Sequence, residues 1–134
     1  LHVELGGIDE SLRNGMSGAW QRTITLSQPG TIVVTPQWSL AADLSLDNDE
    51  SSQSLVSIDG DLLGLDAQSY LYQNTGGGDS GLLTSTVSSA VLPAGNHTLR
   101  LGSYLSKKNT LTESAHYELE SVRVTFIPDD NVAP

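Results

Sequence analysis

Acidic side chains grouped in predicted loops are the residues of this chain whose types and spacing best suit a chemical role. Three carboxylates fall close together, at Asp47, Asp49 and Glu50. Asp79 lies in a glycine-rich segment whose backbone can approach an ion closely, and Glu113 ends a polar segment further along. Calcium is bound in proteins by about six to eight oxygens from carboxylates, backbone carbonyls and water. The five acidic residues are therefore candidate ligands of a calcium ion.

Two considerations bear on the kind of calcium site. The pattern Asp47-x-Asp49 is not followed by the glycine and the distal glutamate of an EF-hand loop, so that motif is excluded. Acidic loops are also frequent in salt-adapted proteins, where they are solvated and bind no ion. Solvated acidic loops are therefore the alternative interpretation.

Tyrosine and amide side chains form the second candidate site. Tyr70 and Tyr72 flank Leu71, so the two rings share one face of a predicted strand. Tyr104 borders the polar segment that ends at Glu113. Aromatic rings can stack on the apolar faces of sugar rings, whereas half-burial at the margin of a sheet is the alternative role of a tyrosine. The predicted sugar-binding residues are Tyr70, Tyr72, Gln73, Asn74, Tyr104 and Lys107.

No arrangement of residues in this sequence predicts catalysis. His97 and His116 can face each other across a predicted hairpin, but each lies in a strand pattern, where a hydrogen-bonded structural histidine is the commoner case. Ser80 lies within Gly-Asp-Ser-Gly, a string found around the nucleophile of trypsin-like proteases. The chain is too short for the double barrel of those proteases, so we interpret the match as coincidence. No catalytic residue is assigned, and we expect that the chain is not an enzyme.

Composition argues against two classes of partner. The 134-residue chain has 16 acidic and 6 basic residues, a formal net charge of −10 at pH 7 and no cysteine. Nucleic-acid binding needs clustered lysine and arginine, and only Lys107 and Lys108 stand together. No apolar run is long enough to cross a bilayer, so membrane insertion is not expected. We expect one domain over residues 1–127 and a linker-like tail over residues 128–134.

Alternation of apolar and polar residues predicts strands throughout the chain. The clearest run begins at Trp38 and places this side chain in the core. Residues 97–101 alternate in the same way, and a run at 117–126 slips in phase near Glu120, which predicts a β-bulge. We expect the last two runs to form a hairpin whose tip lies at 106–113.

These elements predict the fold class. No segment shows helical periodicity over three turns, whereas short strands and turns follow one another at regular spacing. This pattern predicts an all-β, antiparallel β-sandwich of the jelly-roll type with about eight or nine strands. An immunoglobulin-like topology is the alternative, although the sequence lacks the Cys–Trp–Cys framework of antibody domains.

Three segments carry a resemblance to a known kind of module. They are AGNHTLRLGSYLSKKNTLTES at residues 94–114, the acidic stretch 43–50 and the glycine-rich loop 75–81. Together they resemble secreted bacterial β-sandwich domains, similar to carbohydrate-binding modules, that recur in marine adhesins and polysaccharide-degrading enzymes. The resemblance covers most of the chain and implies that Glu50 and Glu113 occupy acidic positions of the family pattern.

The resemblance implies a function outside the cell. We expect a non-catalytic extracellular carbohydrate-binding module, stabilised by calcium, within a larger secreted protein. Its partners would be a polysaccharide or surface glycan and other domains of the same chain. The alternative is a calcium-rigidified structural repeat of a surface adhesin, and a small glycanase or lyase ranks third. The sequence departs from the family pattern at Ser103, where a glycine is usual, and near Leu105 and Ser106, where asparagines are usual.

Overall fold

The structure is a computed structural model that describes residues 2–6, 13–64, 69–108 and 113–129. None of these residues forms a helix long and apolar enough to cross a membrane. The tail predicted at 128–134 lies outside the described residues apart from its first two positions. The described strands are β1 (His2–Gly6), β2 (Arg13–Leu26), β3 (Gly30–Ala42), β4 (Ser51–Ile58), β5 (Asp61–Leu63), β6 (Tyr72–Thr75), β7 (Gly78–Asp79), β8 (Leu83–Thr84), β9 (Val87–Ser88), β10 (Gly95–Lys108) and β11 (Ser114–Pro128).

Two antiparallel sheets pack face to face and form a β-sandwich. The first sheet has the order β1-β11-β3, and β7, β8 and β9 pair one after another along the far edge of β3. The second sheet has the order β2-β10-β4, and β5 and β6 both pair with β4. The chain passes repeatedly from one sheet to the other, as in a jelly roll. The predicted fold class is confirmed, with more strands than predicted, partly because residues 83–88 form two separate short strands, β8 and β9.

The core lies between the sheets and follows from the two-residue period of the strands. β3 and β4 both alternate between buried and partly exposed residues along their whole length. Trp38 is fully buried, as its phase predicts, and its ring packs against Tyr117 and Tyr72 with centroid separations of 6.4 Å and 5.8 Å. Burial in this apolar surrounding raises the pKa of Tyr117. The aromatic group is therefore a structural centre of the sandwich.

β3 shows how a proline is accommodated within a long strand. Proline lacks an N–H group and within sheets is confined to strand starts, edges and bulges, and β3 continues through Pro36 over Gly30–Ala42. The Pro36 carbonyl accepts the Ser85 N–H at 3.1 Å, between the short strands β8 and β9, so the missing proline N–H faces an interrupted edge. The strand ends where the Asp43 carboxylate accepts hydrogen bonds from the N–H and hydroxyl of Ser45 and turns the chain.

The predicted hairpin between the last two long strands is wrong. β10 continues to Lys108 and pairs with β2 and β4, whereas β11 lies in the other sheet between β1 and β3. Strands in the two facing sheets of a sandwich bury alternate residues, as neighbouring strands of one sheet do. The sequence pattern therefore fits a hairpin and two strands in opposite sheets equally well. His97 and His116 therefore lie in different sheets and do not face each other. The predicted bulge is confirmed by a register shift between Leu119 and Ser121.

One end of the sandwich collects the loops that carry the acidic residues. We call it the acidic end, and it consists of the loop 43–50, the turn 76–77 and Glu113, which directly precedes β11. A backbone hydrogen bond of 2.7 Å from the turn to the Glu50 carbonyl joins the turn to the loop. An added Cβ at Gly77 would lie 2.5 Å from the loop backbone, so glycine is needed for this close approach.

Candidate cation site and ligand-binding surface

The acidic loop forms a tight turn that fixes the position of one carboxylate. The Asp47 N–H donates to Glu50 Oε1 at 2.6 Å, and the Glu50 N–H donates to the Asp47 carbonyl at 3.0 Å. These reciprocal bonds hold the Glu50 side chain against its own turn. β4 begins at the next residue, so the carboxylate is held at the mouth of the sandwich.

Glu113 brings a third carboxylate to the same place. One carboxylate oxygen from each of Asp47, Glu50 and Glu113 lies within 4.8 Å of the other two, and we call this group the carboxylate cluster. Glu50 is 0% exposed and Glu113 is 1% exposed, whereas Asp47 is exposed to solvent. The buried Oε2 atom of Glu50 accepts no hydrogen bond from any residue in the described part of the chain. Buried carboxylate oxygens are normally paired, so this atom suits a positively charged ligand.

Electrostatics at the carboxylate cluster favour a bound cation. Burial is the main cause that raises the pKa of Glu50, and the neighbouring carboxylates of Glu113 and Asp47 raise it further, against the opposing effect of the Asp47 N–H. A divalent cation between the carboxylates would offset both the desolvation and the repulsion. Calcium matches an all-oxygen donor set of this kind, in which backbone carbonyls and water complete the coordination shell.

Two lysines lie beside the carboxylate cluster. The Lys107 ammonium donates to Asp49 Oδ2 at 2.9 Å, and this hydrogen bond is the main cause that lowers the pKa of Asp49. Lys108, the last residue of β10, is buried, and an added Cβ at Gly6 would lie 3.3 Å from its Cδ atom. A buried ammonium is the alternative source of positive charge for buried carboxylates. Variants must therefore distinguish a bound ion from a lysine partner.

The structure brings together three of the five predicted calcium ligands and places the other two elsewhere. Asp49 lies at the surface in its salt bridge with Lys107. Asp79 lies in β7, where its Oδ1 atom accepts the Gly81 N–H at 2.8 Å and closes a turn. Neither residue belongs to the carboxylate cluster. Both carboxylates have a local partner that accounts for their position.

Two of the predicted sugar-binding residues lie in one row on the outer face of the second sheet. Tyr104 on β10 is opposite Gln53 on β4, and Gln53 is opposite Gln73 on β6. The Gln53 Nε2 group donates to Gln73 Oε1 at 2.7 Å, so one aromatic ring and two amides cross the sheet side by side. Lys107 follows on the same strand as Tyr104 and binds Asp49.

The other three predicted sugar-binding residues do not lie in this row. Tyr72 faces the core, where its ring packs against Trp38. Asn74 is buried and donates from Nδ2 to the Leu40 carbonyl at 3.2 Å, so it links the two sheets. Tyr70 is partly buried and precedes β6. For Tyr72 the structure shows the alternative role, that of a half-buried tyrosine at a sheet margin.

The same outer face carries a shallow groove that was not predicted from the sequence. Gly102 on β10 lies between Ala19 on β2 and Leu55 on β4, and these three residues line part of a groove of about 180 Å³. On its far side, Arg100 donates from Nε to Gln21 Oε1 at 2.7 Å. The two-residue period of β10 could have revealed the groove, because it places these residues opposite the buried leucines of that strand.

His97, near the start of β10, has hydrogen-bond partners that indicate a structural role. Its Nδ1 atom lies 2.6 Å from Asp59 Oδ2, and its Nε2 atom lies 2.8 Å from the Pro93 carbonyl. Both partners are acceptors, so both ring nitrogens donate and the ring carries a positive charge. The hydrogen bond to Asp59 is the main cause that raises the pKa of His97. Asp59 also accepts the Thr98 N–H at 2.8 Å, which ties the β4–β5 turn to β10.

Comparisons with known proteins leave the family of the chain open. No family model matches it, and no curated protein matches it. Among solved structures it is similar to the EclA C-terminal domain, a sugar-binding protein, with a TM-score of 0.46 and 8% identity over 93% of this chain and 77% of that one. It is also similar to a family 35 carbohydrate-binding module from an environmental isolate, with a TM-score of 0.36 and 16% identity over 90% and 74% of the two chains. A pre-peptidase C-terminal domain of a Bacillus anthracis collagenase gives a TM-score of 0.23 and 13% identity over 82% and 89%. At such low TM-scores and identities, the likenesses carry no argument about this chain.

Proposed function

We propose that this chain is a non-catalytic carbohydrate-binding module that works outside the cell and is stabilised by calcium. The observation that carries the proposal is the outer face of the second sheet. There, the row formed by Tyr104, Gln53 and Gln73 follows next along the strands after the row of Gly102, which lines a shallow groove together with Arg100. The carboxylate cluster at the acidic end supports the calcium part of the proposal.

The groove and the neighbouring row of Tyr104, Gln53 and Gln73 together offer the chemistry that a polysaccharide chain requires. The Tyr104 ring can stack on the apolar face of a sugar, while the amides of Gln53 and Gln73 and the guanidinium of Arg100 can hydrogen-bond to hydroxyl groups. Small-molecule sites are deeper and more enclosed than this open groove, which suits an extended chain lying across the sheet. The formal net charge of −10 favours a neutral polysaccharide over a polyanionic one.

Calcium would support this surface from the acidic end. Extracellular calcium-binding modules have dissociation constants of about 10⁻⁴–10⁻³ M, so a site of this class is filled outside the cell and empty inside. An ion bound by Glu50 and Glu113 would fix the starts of β4 and β11 at the same time. Because Gln53 lies on β4 shortly after Glu50, the ion would also fix the position of the row formed by Tyr104, Gln53 and Gln73.

A glycan array followed by titration calorimetry tests the proposal in calcium-containing buffer. We expect binding to neutral polysaccharide fragments and a loss of at least about tenfold in affinity for Tyr104→Ala and for Arg100→Ala, equivalent to about 1.4 kcal/mol. The matched control is Arg123→Ala, an exposed arginine on the first sheet, which should bind as the wild type does.

The outcomes separate the proposed function from its alternative. If Tyr104→Ala and Arg100→Ala bind the glycan as well as the control does, the ligand site lies elsewhere. A wild-type chain that is stabilised by calcium but binds no glycan would favour the structural repeat of a surface adhesin. The carboxylate cluster alone supports that alternative, because rigidifying a spacer needs an ion and no sugar.

A further inference from the structure

A second group of potential metal ligands lies on the outer face of the first sheet and shares no residue with the carboxylate cluster. His2 on β1 is opposite Glu118 on β11, and Glu4 on β1 is opposite His116 on β11. Each strand therefore contributes one histidine and one glutamate to a square of four outward-facing side chains. All four are exposed or partly exposed to solvent.

The distances within this square bring two imidazoles to one carboxylate. Glu4 Oε2 lies 3.9 Å from His2 Nε2 and 3.9 Å from His116 Nδ1. One potential ligand atom from each of these three residues lies within 4.8 Å of the other two. His2 Nδ1 is also 3.4 Å from Glu118 Oε1, and the two imidazole rings are 5.7 Å apart.

The second nitrogen of His116 also has a partner. Its Nε2 atom lies 3.2 Å from the Ser114 hydroxyl, a contact that orients the ring and leaves Nδ1 facing Glu4. Histidines that bind metals commonly use their other ring nitrogen in this way. The ring is therefore held in the orientation that a metal would need.

We propose that His2, Glu4 and His116 form a binding site for zinc or a similar borderline divalent cation, with Glu118 next to it. Zinc–nitrogen and zinc–oxygen distances near 2.0–2.1 Å in a tetrahedral site place neighbouring ligand atoms about 3.3 Å apart. The 3.9 Å separations around Glu4 reach this value after small rotations of exposed side chains. Three protein ligands leave a fourth position for water or for a group from another molecule.

The ligand chemistry separates this site from the carboxylate cluster. Imidazole nitrogens suit zinc, copper and nickel, whereas calcium selects oxygen. The chain would therefore hold two kinds of cation at two independent places. Zinc bound here would link β1, an edge strand among the described strands, to β11 and would stabilise that pairing.

Titration calorimetry with zinc chloride on the calcium-loaded chain tests the site. We expect binding near one zinc per chain and a loss of at least about tenfold in zinc affinity for His116→Gln and for His2→Gln, since altering even an outer-shell partner typically costs about 10–100-fold. Calcium affinity should be unchanged in both variants. The matched control is Glu120→Gln, which changes an exposed residue of β11 and should bind zinc with wild-type affinity.

A spectroscopic measurement makes the result independent of folding. Zinc added to ¹⁵N-labelled protein should shift the imidazole resonances of His2 and His116 and leave those of the bonded His97 unchanged. Zinc affinity equal to wild type in both histidine variants would overturn the proposal. So would loss of zinc binding in Glu50→Gln, because that result would place zinc at the carboxylate cluster.

Discussion

Glu50→Gln is the substitution that most sharply probes the acidic end. The glutamine keeps the size of the side chain and an oxygen that can accept the Asp47 N–H, but it removes the buried charge. Without calcium, the change relieves the desolvation and repulsion that raise the pKa of Glu50, so the variant should be at least as stable as the wild type. With calcium, only the wild type should gain stability.

The size of the calcium effect can be worked out in advance. An ion present at 100 times its dissociation constant stabilises the native state by about 2.7 kcal/mol. With an unfolding entropy of about 2.1 cal/mol/K per residue, a chain of 134 residues has about 0.28 kcal/mol/K in total. The wild-type Tm should therefore rise by about 10 °C. The Tm of the Glu50→Gln variant should rise by no more than about 2 °C, because the variant offers calcium a neutral amide oxygen in place of a charged carboxylate.

Scanning calorimetry in EDTA and in excess calcium measures the Tm of the calcium-free and calcium-bound protein. Magnesium at equal ionic strength is the salt control. Glu120→Gln is the matched variant, since it removes an exposed carboxylate from β11 and should respond to calcium as the wild type does. Loss of stability by Glu50→Gln in EDTA would contradict a Glu50 charge that is uncompensated without calcium. That result would mean that the protein itself, through a group such as Lys108, already neutralises the Glu50 charge.

The pH dependence of the same experiment has a defined sign. A carboxyl group whose pKa is raised by folding stabilises the native state in its protonated form. In EDTA, the wild type should therefore lose stability as pH rises from the ordinary glutamate value through the raised one. The stabilisation by calcium should grow over the same range, because calcium binds the ionised carboxylates.

Two further predictions concern the rest of the fold. Protonated His97 stabilises the native state below its ordinary pKa of about 6.5, and this stabilisation is lost as pH rises through the raised pKa. Between about pH 6 and 9, the unfolding free energy from urea titration should therefore fall less in His97→Gln than in the wild type. An equal fall in both proteins would contradict a charged His97 ring. Gly102→Ala should destabilise the fold by about 1–3 kcal/mol, because the added Cβ would collide with the Gly18 carbonyl and lie 2.7 Å from Ala19 Cα. Ala19→Ser is its control, and an unchanged Tm for Gly102→Ala would contradict the close packing of β2 on β10.

Local patterning predicted those features of the fold that depend on one strand at a time. The alternation around Trp38 placed its ring in the core, and the phase slip beside Glu120 located the bulge. Both follow from the two-residue period, which needs no knowledge of neighbouring strands. The fold class follows in turn from the number of such segments and the turns between them.

Strand pairing could not be predicted in the same way. The leucines of β10 and the apolar residues of β11 face the same core from opposite sheets, and a hairpin would show the same alternation. Tyr72 illustrates the same limit, because its pairing with Ser54 on β4 turns the ring toward Trp38. Which face of a strand is buried depends on contacts between residues far apart in the sequence.

The acidic residues show what spacing can and cannot indicate. The proximity of Asp47 and Glu50 is local and could be expected, whereas Glu113 joins them only through the fold. Asp49 and Asp79 look equally suitable in the sequence, yet they serve a surface salt bridge and a turn. A carboxylate in a loop has many uses, and only its neighbours in space decide among them.

Anomalous diffraction from crystals grown with calcium would show whether an ion occupies the acidic end, because anomalous scattering identifies the element. We expect a calcium ion about 2.3–2.6 Å from carboxylate oxygens of Glu50, Glu113 and Asp47. Density without an ion there, with Glu50 Oε2 bonded to a lysine ammonium or protonated against Glu113, would contradict it.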